Sequence, residues 1–112
     1  MSPSLLDFLK HIINECEYIV RTKQDKSREE LLEDETLSRA IIRSLEIIGE
    51  ATKKLPDDFK LSHTHIPWSD IAGMRDVLIH DYFGVDYDVV WNTVSNDIPF
   101  LLKELKNILE EA

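Results

Sequence analysis

The chain has 112 residues, of which 43% are hydrophobic and 31% are charged, and its formal net charge at pH 7 is −9. This composition is typical of one small globular domain, and its three glycines and four prolines favour a few long helices over many short strands. The acidity excludes a protein whose whole surface attracts nucleic acid. It leaves room for a local RNA contact or for a basic protein partner.

The expected location is the reducing cytoplasm. No apolar run approaches the roughly 18 residues that span a bilayer, and the start of the chain lacks the basic and apolar regions of a secretion signal. Cys16 is the only cysteine, so an intrachain disulfide is impossible, and its place on an apolar helical stripe favours a core residue over a catalytic thiol. We therefore expect a single domain over residues 1–112, with no membrane contact.

Three helices are predicted in the first half of the chain. Apolar residues at offsets of three and four predict a first helix from about Ser4 to Lys23 and a second long helix from about Thr36 to Lys54. Between them, Ser27 and Glu30 have the spacing of a capping box, which predicts a short acidic helix. The charged stretch that contains it is expected to be a solvated connection.

Residues Pro56 to Ile66 are predicted to form a loop, because a proline follows the second long helix. The loop contains His63 and His65, and an i,i+2 histidine pair can contribute to a metal site. No cysteine or carboxylate stands beside the pair at ligand spacing, so we expect no metal there.

Two more helices are predicted in the second half. Pro67 suits the first turn of a third helix that runs to about His80 or Tyr82, with Gly84 as its stop. Asp86 then caps a last helix that reaches nearly to the end of the chain. Pro99 should kink that helix, because it lacks the backbone N–H of a helical hydrogen bond. The predicted fold is all-α: an antiparallel bundle of four long helices plus one short helix.

The candidate active site is the stretch from Arg75 to Tyr82, which contains an arginine, a histidine five positions later and a tyrosine two beyond that. Arginine binds phosphate with a permanently charged fork, and histidine exchanges protons near neutral pH. RNA is cleaved without a metal when a base takes the 2′-hydroxyl proton, an acid protonates the leaving 5′-oxygen and a cation stabilises the phosphoryl oxygens. His80 suits the proton transfer and Arg75 suits the charge.

The spacing also predicts a homodimer with the motif helix at the interface. On an ideal helix Arg75 and His80 lie about 140° apart, whereas Arg75 and Tyr82 share a face. One chain supplies one motif histidine, but acid and base roles need two proton carriers. A two-fold axis through this helix would bring two copies of each residue into one cleft.

A purely structural explanation of the same residues stays open. Arg75 has aspartates nearby in the sequence with which to form ion pairs, and His80 can cap a helix end. Tyr82 can be a core aromatic residue with its hydroxyl at the surface.

The stretch from Ile66 to Asp86, continued by Val89-Val-Trp91, closely resembles the HepT-like branch of the HEPN superfamily, whose members are toxins of toxin–antitoxin pairs. The segment Leu45-Glu-Ile-Ile-Gly-Glu-Ala51 is also similar to theirs. The likeness covers essentially the whole chain, with a loose fit in residues 22–36, and the arginine–histidine–tyrosine motif is the family's signature.

The resemblance implies an all-helical homodimer with a metal-independent ribonuclease activity that uses Arg75 and His80 and needs no cofactor. It implies RNA as the substrate and a small nucleotidyltransferase antitoxin as the partner. That partner would transfer AMP from ATP to Tyr82, which adds bulk and a negative phosphate on the helix face of Arg75. Asp76 stands where many relatives carry asparagine, and a carboxylate there either orients Arg75 or weakens its hold on RNA.

Two other functions are compatible with the sequence. The chain would act as a non-catalytic subunit that presents substrate or nucleotide to a small nucleotidyltransferase, a reading that the acidic surface and Asp76 favour slightly. Alternatively, it would serve as a helical adaptor. RNA cleavage by the free protein separates the first hypothesis from these two.

Overall fold

The computed structural model describes residues 4–74 and 84–111, and every regular element in those ranges is helical. This confirms the all-α class. The elements in chain order are α1 (Leu5–Lys23), α2 (Arg28–Leu32), α3 (Glu35–Lys53), α4 (Asp57–Leu61), α5 (Trp68–Ala72), α6 (Tyr87–Asn92), a π-helical segment (Thr93–Asp97) and α7 (Ile98–Glu111).

The first three helices begin at the residues that their capping side chains select. Ser4 and Ser27 each form a complete capping box, in which the serine hydroxyl accepts a backbone N–H and an acidic side chain bonds back to the serine N–H. The Asp34 carboxylate accepts the Leu37 N–H at 3.0 Å and starts α3. The predicted bounds of α1 and α3 and the predicted short helix at α2 are confirmed to within a residue or so.

The core lies between α1, α3 and α7, with α5 and α6 packed at its edges. The apolar stripes that predicted the long helices form it, and Cys16 is fully buried among them. Burial raises the pKa of the Cys16 thiol to about 12, with smaller contributions from Glu15 and Glu17. A thiol held in that form is a poor nucleophile, so the prediction of a core residue is confirmed.

The loop predicted after α3 is partly wrong, because residues 57–61 form the helical turns of α4. Pro56 stops α3, but its φ of −61° also suits the residue that precedes a helix. Two aspartates follow in the first turn of α4, where negative charge is favoured.

The third and last helices depart from their predicted courses. The α-helix that begins at Trp68 ends at Ala72, and the rest of the predicted third helix lies mostly outside the described residues. In the last helix a π-helical segment precedes Pro99, and the Ile98 N–H bonds to the Thr93 carbonyl five residues earlier. A single wide helical turn therefore lies just before Pro99, which has no backbone N–H to donate. The kink at Pro99 stays a prediction.

Candidate active site and the surfaces beside it

The four motif residues, Arg75, Asp76, His80 and Tyr82, lie outside the described residues, and so do the predictions made for the helix that carries them. The described chain enters this stretch at Met74 and leaves it at Gly84. The described helices nearest to the motif in the chain are α5 before it and α6 after it.

Trp68, at the start of α5, holds the segment that precedes the motif in place. Its indole N–H donates to the Lys60 carbonyl at 3.2 Å and to the His63 carbonyl at 3.0 Å. Its ring stacks at a tilt against Phe59 of α4, with centroids 5.7 Å apart. The indole is 8% exposed, so these bonds satisfy a donor that burial would otherwise leave unpaired.

A close approach between α3 and α5 fixes the direction of this entry. A Cβ built on Gly49 would lie 3.3 Å from the Ile71 carbonyl oxygen and 3.4 Å from that of Ala72. Glycine therefore allows the backbone of α5 to rest on α3. Ile71 and Met74 are both buried in the core, so the chain reaches Arg75 from a fixed position.

The exit from the motif is fixed by a helix cap. Asp86 accepts the Val89 N–H at 3.2 Å and begins α6, as the sequence predicted. Val85 packs partly buried against the core, and Val90 is fully buried one turn into the helix.

One surface beside the motif is an acidic and apolar cleft of about 460 Å³ between α5, the π-helical segment and α7. Met74, the residue that precedes Arg75, lines it together with Phe100, which is 43% exposed. Asp70 and Asp97 supply its carboxylates. Partial burial raises the pKa of Asp97, and the negative charge of Asp70 adds to the effect.

A second surface, the basic–aromatic face, consists of Lys23, Arg28, Tyr87 and Trp91. The Lys23 ammonium lies 4.6 Å from the centroid of the Trp91 ring, which is a cation–π contact. Arg28 forms an ion pair with Asp88 of α6. The sequence did not predict this face, because α1 and α6 are distant along the chain. Residues 25–35, which include Arg28, were interpreted as a solvated connection and not as part of a binding surface.

Both histidines of the α4–α5 connection make contacts within the chain. His65 bonds to Glu104 at 3.1 Å, and the His63 ring stacks on Phe59 with centroids 4.8 Å apart. Within residues 4–74 and 84–111, no three His, Cys, Asp or Glu side chains are grouped to hold a metal ion. None of the helices in those ranges is long and apolar enough to cross a membrane.

Comparison with known proteins finds a family match over nearly the whole chain. Residues 10–108 match the family described as "Ribonuclease HepT-like". The chain is 49% identical over 104 residues to a "putative RNase" of Caldanaerobacter subterraneus subsp. tengcongensis, with 93% of each chain covered. It is 48% identical to a "probable ribonuclease HepT" of Thermococcus cleftensis, with 90% of this chain and 92% of that one covered. No solved structure gives a significant match.

Proposed function

Since this chain belongs to the HepT-like ribonuclease family, we propose that it is an endoribonuclease that cleaves RNA without a metal ion, using Arg75 and His80. Residues 1–112 form one domain of the family and act as a homodimer, with the motif helices at the interface. The observation that carries the proposal is the pair of Arg75 and His80, five positions apart, inside a family match that runs from residue 10 to residue 108.

The proposed reaction is attack by the RNA on its own backbone. One His80 takes the proton of a 2′-hydroxyl, and the freed oxygen bonds to the adjacent phosphorus. The bond from phosphorus to the 5′-oxygen breaks, and the second His80 of the dimer protonates that oxygen. Arg75 stabilises the charge that builds on the phosphoryl oxygens. The products are a 2′,3′-cyclic phosphate and a 5′-hydroxyl.

The described elements support this assignment through the way they fix the ends of the motif. The α5 backbone rests on α3 at Gly49, and the two hydrogen bonds of the Trp68 indole hold the start of α5. Met74 is buried directly before Arg75. A base and a cation that must meet one phosphate need such fixed supports, since small displacements cost rate.

We further propose that the protein is the toxin of a toxin–antitoxin pair and that a small nucleotidyltransferase silences it. The hydroxyl oxygen of Tyr82 bonds to the α-phosphorus of ATP, and pyrophosphate leaves. Each AMP unit brings a phosphate to the helix face of Arg75 and competes with RNA for that cation. Asp76 has a supporting role, in which its carboxylate orients Arg75.

Growth inhibition on expression without a partner tests the proposed toxin. Wild-type chain should stop growth and shorten cellular RNA, whereas His80→Ala should do neither. His11→Ala is the matched control, because His11 is an exposed histidine of α1, and it should behave as wild type. A toxic His80→Ala variant would contradict the assignment.

Tyr82→Phe tests the proposed modification. With a small nucleotidyltransferase of the proposed antitoxin class and ATP, the wild-type chain should gain mass in AMP units and Tyr82→Phe should not. Tyr87→Phe is the control, since Tyr87 is 43% exposed and offers an accessible hydroxyl outside the motif. A mass gain on Tyr82→Phe would show that the acceptor is another residue. Tight partner binding without RNA cleavage by the free dimer would favour the nucleotidyltransferase-subunit function instead.

A further inference from the structure

We propose that the basic–aromatic face of Lys23, Arg28, Tyr87 and Trp91 binds single-stranded RNA and guides it to the motif. The inference rests on the proposed function, because it concerns the substrate of the same site. It explains how a chain with a net charge of −9 retains a polyanion long enough to cut it.

The charge of this region is opposite to that of the whole chain. Residues 21–28 contain four basic side chains and one acidic side chain, and no other eight-residue stretch has so large a positive excess. The rest of the chain is correspondingly more acidic than the total charge implies. Residues 29–35 add five acidic side chains directly after this segment, so the attraction for phosphate is local to residues 21–28 and to the side chains that they contact.

Tertiary packing brings Lys23 of α1 and Arg28 of α2 to side chains of α6. Lys23 lies over Trp91, and Arg28 pairs with Asp88 on the same helix. Tyr87 and Trp91 are four residues apart in α6, so they lie on one face of it. Tyr87 is 43% exposed, and Trp91 is half-buried.

The connection between α1 and α2 holds the basic side chains in place. Asp25 adopts a left-handed conformation with φ of 64°, and the Lys26 N–H donates to the Lys23 carbonyl at 2.9 Å. The capping box at Ser27 then starts α2 and carries Arg28 towards α6. The positive charges are thus part of a folded turn.

Single-stranded RNA fits this combination of groups. Proteins that bind single strands without reading sequence pair a basic track for the backbone with aromatic side chains on which bases stack. Tyr87 and Trp91 offer the rings, while Lys23 and Arg28 offer the cations. Two residues of the face, Tyr87 and Trp91, belong to α6, which is the first described helix after the motif in the chain.

Binding of a 12-residue 2′-O-methyl uridine oligomer tests the proposal separately from cleavage, because this probe has no 2′-hydroxyl to react. Lys23→Glu should weaken binding by about tenfold. It should also reduce the slope of log binding constant against log salt concentration by about one. Lys103→Glu makes the same charge change on the exposed surface of α7 and should weaken binding much less. Equal losses for the two variants would overturn the proposal.

A substitution of opposite sign strengthens the test. Asp88 is 80% exposed and competes with phosphate for Arg28, so Asp88→Asn should tighten binding several-fold. Asp57→Asn removes the same charge from α4 and is the matched control. Weaker binding by Asp88→Asn, or the same gain in Asp57→Asn, would contradict the proposed role of Arg28.

Tryptophan emission reports the location of the probe. The chain has two tryptophans, and Trp68 is 8% exposed, so stacking of a base should quench the emission of Trp91. The quenching should vanish in Trp91→Phe and shrink in Tyr87→Ala. If the probe binds without quenching, the strand lies elsewhere.

The same variants distinguish a failure of this inference from a failure of the proposed function. On a long RNA, Lys23→Glu should lose activity through a higher KM, whereas its cleavage of a dinucleotide, whose single phosphate is the one that is cleaved, should equal that of wild type. A wild type that binds the oligomer at this face and cuts nothing would refute the nuclease alone. Wild-type cleavage that is indifferent to Lys23 on every substrate would refute the binding face alone.

Discussion

The helical stretch from Tyr87 to Glu111 borders two surfaces of opposite character. In its first turns, in α6, Trp91 lies under Lys23 of α1 and Asp88 pairs with Arg28 of α2. Further along, Asp97 and Phe100 face Asp70 across an acidic and apolar cleft. The net charge of −9 is therefore an average over surfaces that differ in charge, from the carboxylates of the cleft to the basic side chains of residues 21–28.

The largest expected effect on stability comes from the close contact between Gly49 of α3 and the backbone of α5, a helix that lines the cleft. Gly49→Val should lower the free energy of unfolding by about 2 kcal/mol, because a larger side chain pushes α5 off α3. Chemical denaturation measures it. Gly84→Ala is the control, since a Cβ at Gly84 meets nothing within 4 Å, and it should be close to neutral. Equal stability of the two variants would show that the approach of α3 and α5 is loose.

A smaller effect is expected from the ion pair of the basic–aromatic face. The Arg28 and Asp88 side chains are 41% and 80% exposed, so water screens their attraction. A double-mutant cycle with Arg28→Ala and Asp88→Ala should give a coupling of about 0.5 kcal/mol. The i,i+4 pair of Glu35 and Arg39 provides a reference cycle of similar size. A coupling several times larger would mean that the pair stabilises the fold, and its use for RNA would then carry a stability cost.

The smallest effect concerns the cleft carboxylates and depends on pH. The pKa of Asp97 is raised above 3.8 in the folded chain. At pH values between the unfolded-state pKa and this higher folded-state pKa, the folded state therefore binds more protons than the unfolded state. Wild-type stability should therefore fall, relative to Asp97→Asn, as the pH rises from about 4 towards neutrality. Urea unfolding at several pH values measures the difference. It should shrink in an Asp70→Asn background, and no change with pH would contradict the burial of Asp97.

Local signals predicted much of the fold. The apolar stripes and the serine caps defined α1, α2 and α3, because capping and amphipathicity depend on residues within one or two turns. The sequence missed α4, since Pro56 is both a stop for one helix and a good start for the next. It predicted a kink at Pro99, but no local signal predicted the π-helical segment from Thr93 to Asp97.

The functional residues also fall into those that local sequence signals predict and those that they do not. Arg75, His80 and Tyr82 were predicted from their spacing within one short stretch. The basic–aromatic face joins Lys23 to Trp91 and Arg28 to Asp88, and only tertiary packing brings these residues together. The likeness of residues 22–36 to the family is loose, so resemblance offered no guide there.

The most direct test of the nuclease is cleavage of total cellular RNA in EDTA by chain expressed without a partner, with His80→Ala alongside. Wild type should cut the RNA and leave 2′,3′-cyclic phosphate ends, and the variant should cut nothing. Intact RNA after incubation with an unmodified, dimeric wild type would contradict the account and leave partner binding as the function of the motif.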